Sequence, residues 1–404
     1  MDNDEVRVRA DSSVGFAPVC VLGDVDLVRA LGLAGLSSVV VAGPDDPVRY
    51  SRHVVGTLAQ LDHWTQADDI VAQLVTWAGT QQGQPVLIPQ TDGDLLLVSR
   101  HRAALSAAFR FVVAEEALVE DLIHKQRFQA LAQRSGLDVP PAAVMPADGA
   151  ANLPRGLRLP VIAKPLTRRD LVGLDLTGKA VRIDGEADFR ELRRRTSAQG
   201  IDVLVQELVP GPETRMESWH AYVDGEGAIA GEFCGQKIRT WPLEFGYSTA
   251  VRITATADVA CAGREVAERL GLHGLIKVDF KRDPAGVLRL LEVNPRATLW
   301  NFPGAVAGVN LVALLHADLI GRPRPPVPPL RAGVTWCAPR EDRWAAAAAG
   351  VSTTAWLAQM LRCSARSGAS WDDPAPFVRG ELAPAVKRRL RRVRGGRVAG
   401  LRRE

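Results

Sequence analysis

The sequence predicts a protein of mixed α/β and α+β class, with a doubly wound parallel-sheet domain at the N-terminus and antiparallel sheets after it. Strand patterns in "APVCVLG" (17–23) and "LSSVVVAG" (36–43) flank a helical pattern, and such a βαβ unit implies parallel strands. Two later segments, 217–238 and 274–296, each join two strand patterns through a glycine-containing turn, which indicates antiparallel hairpins. A chain of 404 residues has room for two or three such domains.

The domain boundaries are predicted from where these patterns change. The predicted units are the parallel-sheet domain at 1–115, a second domain at 116–320 with a small lobe at about 140–210 and a large lobe at about 211–320, a proline-rich linker and C-terminal segment at 321–386, and a basic tail at 387–404. Residues 118–138 read as one helix that ends at Gly136. The first strand–helix junction lacks G-x-G-x-x-G, so it does not predict a dinucleotide site.

Composition and charge exclude several classes of protein. The net charge is +4, but residues 387–404 carry nine basic residues and one acid, so the rest of the chain has a net charge of −4. A mildly acidic body argues against nucleic-acid binding. No apolar run is long enough to cross a membrane, and the polar N-terminus is not a signal peptide. The five cysteines are widely spaced without C-x-x-C, which predicts neither zinc nor disulfides and places the protein in a reducing cytoplasm.

Lysine is scarce in this chain. Only seven lysines accompany 43 arginines, a bias typical of a GC-rich genome in which neutral positions drift to arginine. The lysines that persist are then predicted to be the ones that arginine cannot replace, because an ammonium group is compact and a guanidinium is a planar fork.

The stretch "LLEVNPR" (290–296) carries the strongest signal of a chemical site. Alternation along a strand places Glu292, Asn294 and Arg296 on one face, and the preceding hairpin strand brings Asp279 opposite them. Two carboxylates and an amide oxygen form a hard-oxygen site that suits Mg²⁺. The alternatives are a strand that simply ends in an Asn-Pro turn, or a surface hairpin with scattered acids.

The segment "GLDLTGKA" (173–180) is a candidate phosphate loop. It nearly matches the P-loop pattern, but it ends in Ala180 instead of a hydroxyl residue, and a strand pattern follows where a P-loop has a helix. We therefore reject a P-loop. A glycine-bearing loop with Gly178 and Lys179 remains, next to a strand that contains Lys164, and such a loop can lay backbone N–H groups over phosphates.

Together these residues resemble the ATP-grasp superfamily, and within it the carboxylate–amine ligases that include D-aspartate ligase-like proteins, over residues 15–320. The resemblance implies a pre-ATP-grasp domain followed by the two-lobed ATP-grasp fold. It implies that Asp279, Glu292 and Asn294 bind Mg²⁺, with Mn²⁺ as the alternative, at the phosphates of ATP.

The resemblance also assigns the other site residues. The implied nucleotide contacts are Lys125, Lys164, Gly178, Lys179, the adenine hinge Gln206, Glu207, Leu208 and Val209, and Glu213 at the ribose; the implied catalytic residues are Arg296 at the carboxylate substrate or acyl phosphate, Lys237 at the γ-phosphate, Arg239 at the substrate, and Lys277 at the transition state. Whether Gln206 or Glu207 faces adenine stays open. Trp241 and Leu243 depart from the subgroup near the substrate loop, so the substrate stays open too.

The implied activity is an ATP-dependent ligase that joins a small carboxylate to an amine through an acyl phosphate and releases ADP and phosphate. A small-molecule kinase and a non-catalytic nucleotide-binding module are the alternatives. No nucleic-acid partner is expected. A homodimer is a candidate assembly, because dimers are common among the proteins that the chain resembles. The basic tail is a candidate contact with an anionic surface.

Overall fold

The computed structural model describes residues 18–149, 152–167 and 178–383, and its first unit is a four-stranded parallel sheet. The sheet has the order β3-β2-β1-β4, and helices follow its strands. The elements are β1 (Val19–Leu22), α1 (Val25–Gly32), β2 (Ser38–Ala42), β3 (Val54–Ala59), α2 (Ala67–Ala78), β4 (Leu87–Pro89), α3 (Asp92–Arg100) and α4 (Arg102–Ala108). The basic tail and most of the segment 173–180 lie outside the described residues.

Polar residues at the carboxyl edge of this sheet begin the helices. Asp24 follows β1 and caps α1, with its carboxylate accepting from the backbone N–H groups of Asp26 and Leu27. Thr91 follows β4 and forms a capping box with Asp94 at the start of α3. Because β1 and β4 are neighbouring parallel strands, these caps lie along one edge and leave polar groups facing out of it.

The helix predicted at 118–138 is two helices, α5 (Glu116–Ile123) and α6 (Lys125–Arg134). The break is at His124, which has an extended backbone conformation. The next N–H group, that of Lys125, donates to the carbonyl of Leu166 at 3.0 Å instead of continuing the first helix. The break therefore places Lys125 in the first turn of a new helix, tied to the following domain.

The small lobe is a four-stranded antiparallel sheet with the order β5-β8-β6-β7. Its elements are β5 (Ala142–Met145), β6 (Val161–Pro165), β7 (Val181–Ile183), α7 (Glu186–Gln199) and β8 (Val203–Glu207). One face packs on α7 through Val161, Ala163, Val203 and Val205. Since strand residues alternate, the residues between them face the other way, toward the large lobe.

The large lobe is built on a seven-stranded sheet with the order β13-β12-β9-β10-β11-β14-β15. Its elements up to residue 320 are β9 (Met216–Val223), β10 (Ile229–Trp241), β11 (Tyr247–Thr254), α8 (Ala257–Leu270), β12 (Gly274–Arg282), β13 (Leu288–Asn294), α9 (Asn301–Val306) and α10 (Leu311–Leu319). Both hairpins expected from the sequence are present, β9 with β10 and β12 with β13, and β12 also pairs with β9.

The sheet does not end at residue 320, where the sequence predicts a linker. The C-terminal segment contributes β14 (Thr335–Cys337), α11 (Pro339–Ala348), α12 (Thr353–Arg362) and β15 (Ala365–Arg366). β14 pairs with β11, which would otherwise be an exposed edge. Buried Asp373 then fastens this segment to the first domain, since its carboxylate accepts from Arg29 Nε at 3.2 Å and Ser51 Oγ at 2.7 Å. None of the described helices is long and apolar enough to cross a membrane.

Candidate active site

The lysines of the described residues converge on one cavity between the two lobes. All six lysines in the described residues line this cavity, which has a volume of about 140 Å³ and which we call the lysine cavity; they are Lys125, Lys164, Lys179, Lys237, Lys277 and Lys281. No arginine of the described chain lines it, although arginine is far more abundant. The cavity is also lined by the predicted residues Gln206, Glu207, Leu208, Val209, Glu213, Asp279 and Glu292.

The strand β8 resolves which hinge residue faces the cavity. Gln206 accepts a hydrogen bond from Lys164 Nζ at 2.8 Å on the cavity side of the sheet. Glu207 is the next residue, so its side chain leaves on the opposite face, where it accepts from a backbone N–H at 3.0 Å. The backbone N–H of Leu208 donates to Pro160 at 3.1 Å, so it is already used within the small lobe. Gln206 therefore faces the cavity with its side chain.

Burial changes the acidity of the cavity lysines. The pKa of Lys164 is lowered to about 8, first because the ammonium group is removed from water and then because Lys125 is close. Burial also lowers the pKa of Lys237. Three acids direct charge to the cavity, Glu213, Asp279 and Glu292, since the Glu207 side chain lies on the opposite face of β8, so the six lysines exceed the acids by a formal charge of +3. A cavity of this kind attracts a polyanion, which would restore full charge to its lysines.

The predicted metal ligands lie on one face of the β12–β13 hairpin. Asp279 is directly opposite Glu292, and Lys277 is directly opposite Asn294. Each carboxylate is neutralised by a lysine: Lys277 Nζ lies 2.6 Å from Asp279, and Lys125 Nζ lies 2.7 Å from Glu292. These ion pairs offset the repulsion between two facing acids.

The donor set of this hairpin fits a magnesium ion. Two carboxylates and one amide oxygen are hard ligands, and Mg²⁺ takes few protein ligands when substrate phosphates supply the others. Within the described chain, no group of three or more His, Cys, Asp and Glu side chains forms a metal site by protein ligands alone. The residues therefore fit a cation shared with a phosphate ligand better than a metal held by the protein alone.

A second cavity of about 390 Å³ opens between the large lobe and the first domain, and we call it the inter-domain cavity. Four residues line both cavities, which places them at the junction: Lys179, Ser248, Lys277 and Glu292. Lys179 is held there by its backbone N–H, which donates to Phe245 at 3.0 Å, and by its ammonium group, 4.5 Å from the Tyr247 ring centre. Gly178, just before it, lies against the same backbone, where a Cβ atom would be 3.4 Å from the Phe245 carbonyl oxygen.

Arg296 joins the large lobe to the first domain at the wall of the inter-domain cavity. Its guanidinium donates to Asp92 at 2.7 Å, to the Gln90 carbonyl at 2.5 Å and to Asn294 at 3.1 Å. The Arg296 and Asp92 side chains are 7% and 12% exposed, so water screens the pair weakly. The first domain thus orients the arginine that the sequence predicts at the carboxylate substrate.

The structure does not bring Arg239 to either cavity. Its guanidinium makes two hydrogen bonds to Asp342 of α11, at 2.8 and 2.7 Å, and one to Gln359 at 2.8 Å. Asp342 also accepts from Thr249, so it is a hub that holds the C-terminal segment on the sheet. The physical reason is that this half-buried cation pairs with a buried acid of the C-terminal segment, in the unit predicted at 321–386.

Several residues at the site have no role that was predicted from the sequence. Asp92 and Gln90 lie in "LIPQTDGD", directly after a buried strand, which is where the acids and amides of an α/β sheet face a ligand. That position is a signal available in the sequence. His63, Ser248 and Trp300 line the inter-domain cavity without any local pattern that would predict it.

Comparison with known proteins identifies relatives at both the sequence and the structure level. No family model matches the chain. The chain is 24% identical over 246 residues to a D-aspartate ligase from Enterococcus faecium (strain Aus0004), a match that covers 58% of each protein. The chain thus spans less than two thirds of the length of this curated relative.

Solved structures match over more of the chain. The ADP complex of PurK, an N5-carboxyaminoimidazole ribonucleotide synthetase, superposes with a TM-score of 0.61 at 14% identity, over 79% of this chain and 81% of that one. The L-amino acid ligase from Bacillus licheniformis superposes with a TM-score of 0.55 at 15% identity, over 76% and 75%. At such identities the likeness shows a shared fold, and the site residues above are the basis for inferring chemistry.

Proposed function

We propose that this chain, which has the ATP-grasp fold of these synthetases and ligases, is an ATP-dependent carboxylate–amine ligase. It would bind ATP with Mg²⁺ in the lysine cavity and a small carboxylic acid in the inter-domain cavity. It would form an acyl phosphate and pass the acyl group to an amine, with release of ADP and phosphate. The D-aspartate ligase and the L-amino acid ligase carry names of this reaction class.

The observation that carries the proposal is the junction of the two cavities. A cationic cavity suited to a polyphosphate opens at Lys277 and Glu292 onto a second cavity that contains a substrate-sized volume and an oriented arginine. A phosphoryl group held at that junction would face both chambers. Two-substrate group transfer needs this arrangement, because positioning and charge neutralisation supply most of the catalysis of phosphoryl transfer.

Different residues bind the nucleotide and the carboxylate in the first step, which is formation of the acyl phosphate. Gln206 faces the base position, and Lys164 and Lys237 supply charge along the phosphates. Arg296 holds the attacking carboxylate, and Lys277 neutralises charge on the transferred group. Bound Mg²⁺, held by Asp279, Glu292 and Asn294, would offset phosphate charge. The acyl phosphate is open to hydrolysis, so the walls around the junction must exclude water.

The test is release of ADP and phosphate from MgATP over a pool of small carboxylic acids, with and without pooled amino acids. A ligase requires both an acid and an amine for full turnover. Turnover with an acid or alcohol alone, giving a stable phosphorylated product, would indicate a kinase instead. Tight ATP binding without turnover in any pool would favour a non-catalytic module. Splitting the productive pool then identifies each substrate.

Affinity for ATP should fall as the pH rises above about 8. The free protein loses the Lys164 proton around that pH, whereas bound phosphate favours the charged form, so binding takes up a proton there. We expect up to a tenfold weaker affinity per pH unit between about pH 8 and 9.5. Lys164→Arg keeps a permanent cation and should flatten this dependence. Titration calorimetry in two buffers of different ionisation enthalpy measures the proton uptake, and equal uptake in the wild type and Lys164→Arg would contradict the prediction.

A further inference from the structure

The wall of the inter-domain cavity that belongs to the first domain differs in charge from the opposite wall. The large lobe contributes the cations Arg296 and Lys277 and the acid Glu292, whose charge is offset by Lys125, while the first domain contributes Asp24, Asp46 and Asp94. A carboxylate is attracted to the wall formed by the large lobe. A cationic amine is attracted to the wall formed by the first domain, which we call the acidic wall. The cavity is therefore polarised in the sense that a reaction between an acid and an amine requires.

His63 lies on the acidic wall and is held by Asp94. Its Nε2 atom is 2.5 Å from Asp94 Oδ1, and the other carboxylate oxygen accepts from the backbone N–H and hydroxyl of Thr91 at 2.9 and 2.7 Å. Asp94 is thus fixed by the start of α3, and it fixes the imidazole in turn. Because an ionised carboxylate only accepts, Nε2 carries the hydrogen, and Nδ1 of the neutral ring is left as a proton acceptor.

The charges near His63 favour its protonated form. The hydrogen bond to Asp94 raises the pKa of His63, and the charge of Asp62 on the same loop adds to the effect, while burial opposes it. Asp24 and Asp46, on the loops after β1 and β2, line the same cavity and carry the same sign. With its Nε2 hydrogen held by Asp94, the neutral His63 ring is a stronger base than an ordinary histidine, so its Nδ1 atom can take a proton from an ammonium group.

We propose that the acidic wall is the amine subsite of the proposed ligase and that His63 is the proton acceptor of the second step. The amine nitrogen attacks the acyl carbon, the bond between that carbon and the phosphate oxygen breaks, and phosphate leaves. The ammonium group first gives one proton to His63 Nδ1, which frees the nitrogen lone pair for the attack, and the second proton that the nitrogen loses on forming the amide leaves with the phosphate. The ligand class is a primary amine that is protonated in solution, and this inference rests on the proposed function.

The mechanism separates charged amines from amines that are already neutral. Hydroxylamine is uncharged near neutral pH, so it can trap the acyl phosphate as a hydroxamate without a strong base. An amino acid needs its ammonium proton removed. Loss of His63 should therefore spare hydroxamate formation and impair amide formation.

The experiment compares the two products in the full-length chain with MgATP and the acid pool. For His63→Gln we expect amide formation with pooled amino acids to fall at least 10²-fold, in line with general-base catalysis, while hydroxamate formation stays within twofold of the wild type. Asp94→Asn, which keeps the shape of the cap but misdirects the imidazole, should lower amide formation less. His101→Gln is the matched control, since His101 is a half-buried histidine of the same domain, 3.9 Å from Asp68 and outside both cavities.

The outcomes are distinguishable. Equal loss of both products in His63→Gln would overturn the inference and assign His63 to folding or to the first step. Unchanged amide formation would overturn it as well, and so would a wild type that makes hydroxamate but no amide with any pooled amine. If the wild type makes neither product, the proposed ligase function itself fails.

Discussion

Replacing Glu292 by Gln should lower kcat by about 10³-fold with the fold intact. The Glu292 carboxylate lines both cavities, lies 2.7 Å from Lys125 Nζ, and is directly opposite Asp279 in the hairpin. Removing its charge takes away a proposed Mg²⁺ ligand. It also leaves Lys125 without its partner at the junction where the phosphoryl group would be transferred. Losing one such electrostatic group typically costs 10²–10³-fold in kcat.

The stability of Glu292→Gln should change little. The Glu292 and Lys125 side chains are 24% and 22% exposed, so their pair is partly screened and contributes about 1 kcal/mol or less. Glu217→Gln is a matched control because Glu217 pairs with Arg282 at 2.6 Å on the same sheet, outside both cavities. Steady-state kinetics and thermal melting of the two variants are the measurements. Turnover near normal in Glu292→Gln, or equal losses in both variants, would remove Glu292 from the proposed metal site.

The hairpin that carries Asp279 and Glu292 could be predicted because its information is local. The Asp-Pro-Ala-Gly turn predicts the hairpin, and alternation groups Glu292 with Asn294, but a register shift between Asp279 and Phe280, which no local pattern indicates, brings Asp279 directly opposite Glu292. The lysine bias was informative for a different reason. Among the described residues, lysine is kept only in this cavity, where a compact ammonium group fits beside phosphates.

The remaining parts depend on contacts between distant segments. Asp342 is 103 residues from Arg239, and no local pattern indicates that the two will form a buried pair. The short strand β14 has only three residues, too few for an alternation to be recognised, although it pairs with β11 in the large sheet. The break at His124 follows from a tertiary hydrogen bond to Leu166, which overrides an uninterrupted helical pattern.

Replacing Arg296 by Gln and Arg239 by Gln should destabilise the protein by a similar amount but affect activity differently. Each arginine makes a buried pair with one aspartate, Asp92 or Asp342, and removing one partner of such a pair costs about 3 kcal/mol because the other charge stays buried. Urea unfolding should therefore show comparable losses of unfolding free energy. Only Arg296 lines the inter-domain cavity, so only its loss removes the cation that holds the attacking carboxylate.

The two variants decide between the family resemblance and the observed geometry at residue 239. At a temperature where both variants are folded, we expect Arg296→Gln to lower kcat/KM for the acid by at least 10²-fold, and Arg239→Gln to stay within about threefold of the wild type. A large activity loss in folded Arg239→Gln would mean that this arginine leaves Asp342 to bind substrate, as the resemblance implies. Retained activity in Arg296→Gln would mean that Arg296 does not bind the carboxylate substrate. Its role would then be to join the large lobe to the first domain through its hydrogen bonds to Asp92 and Gln90.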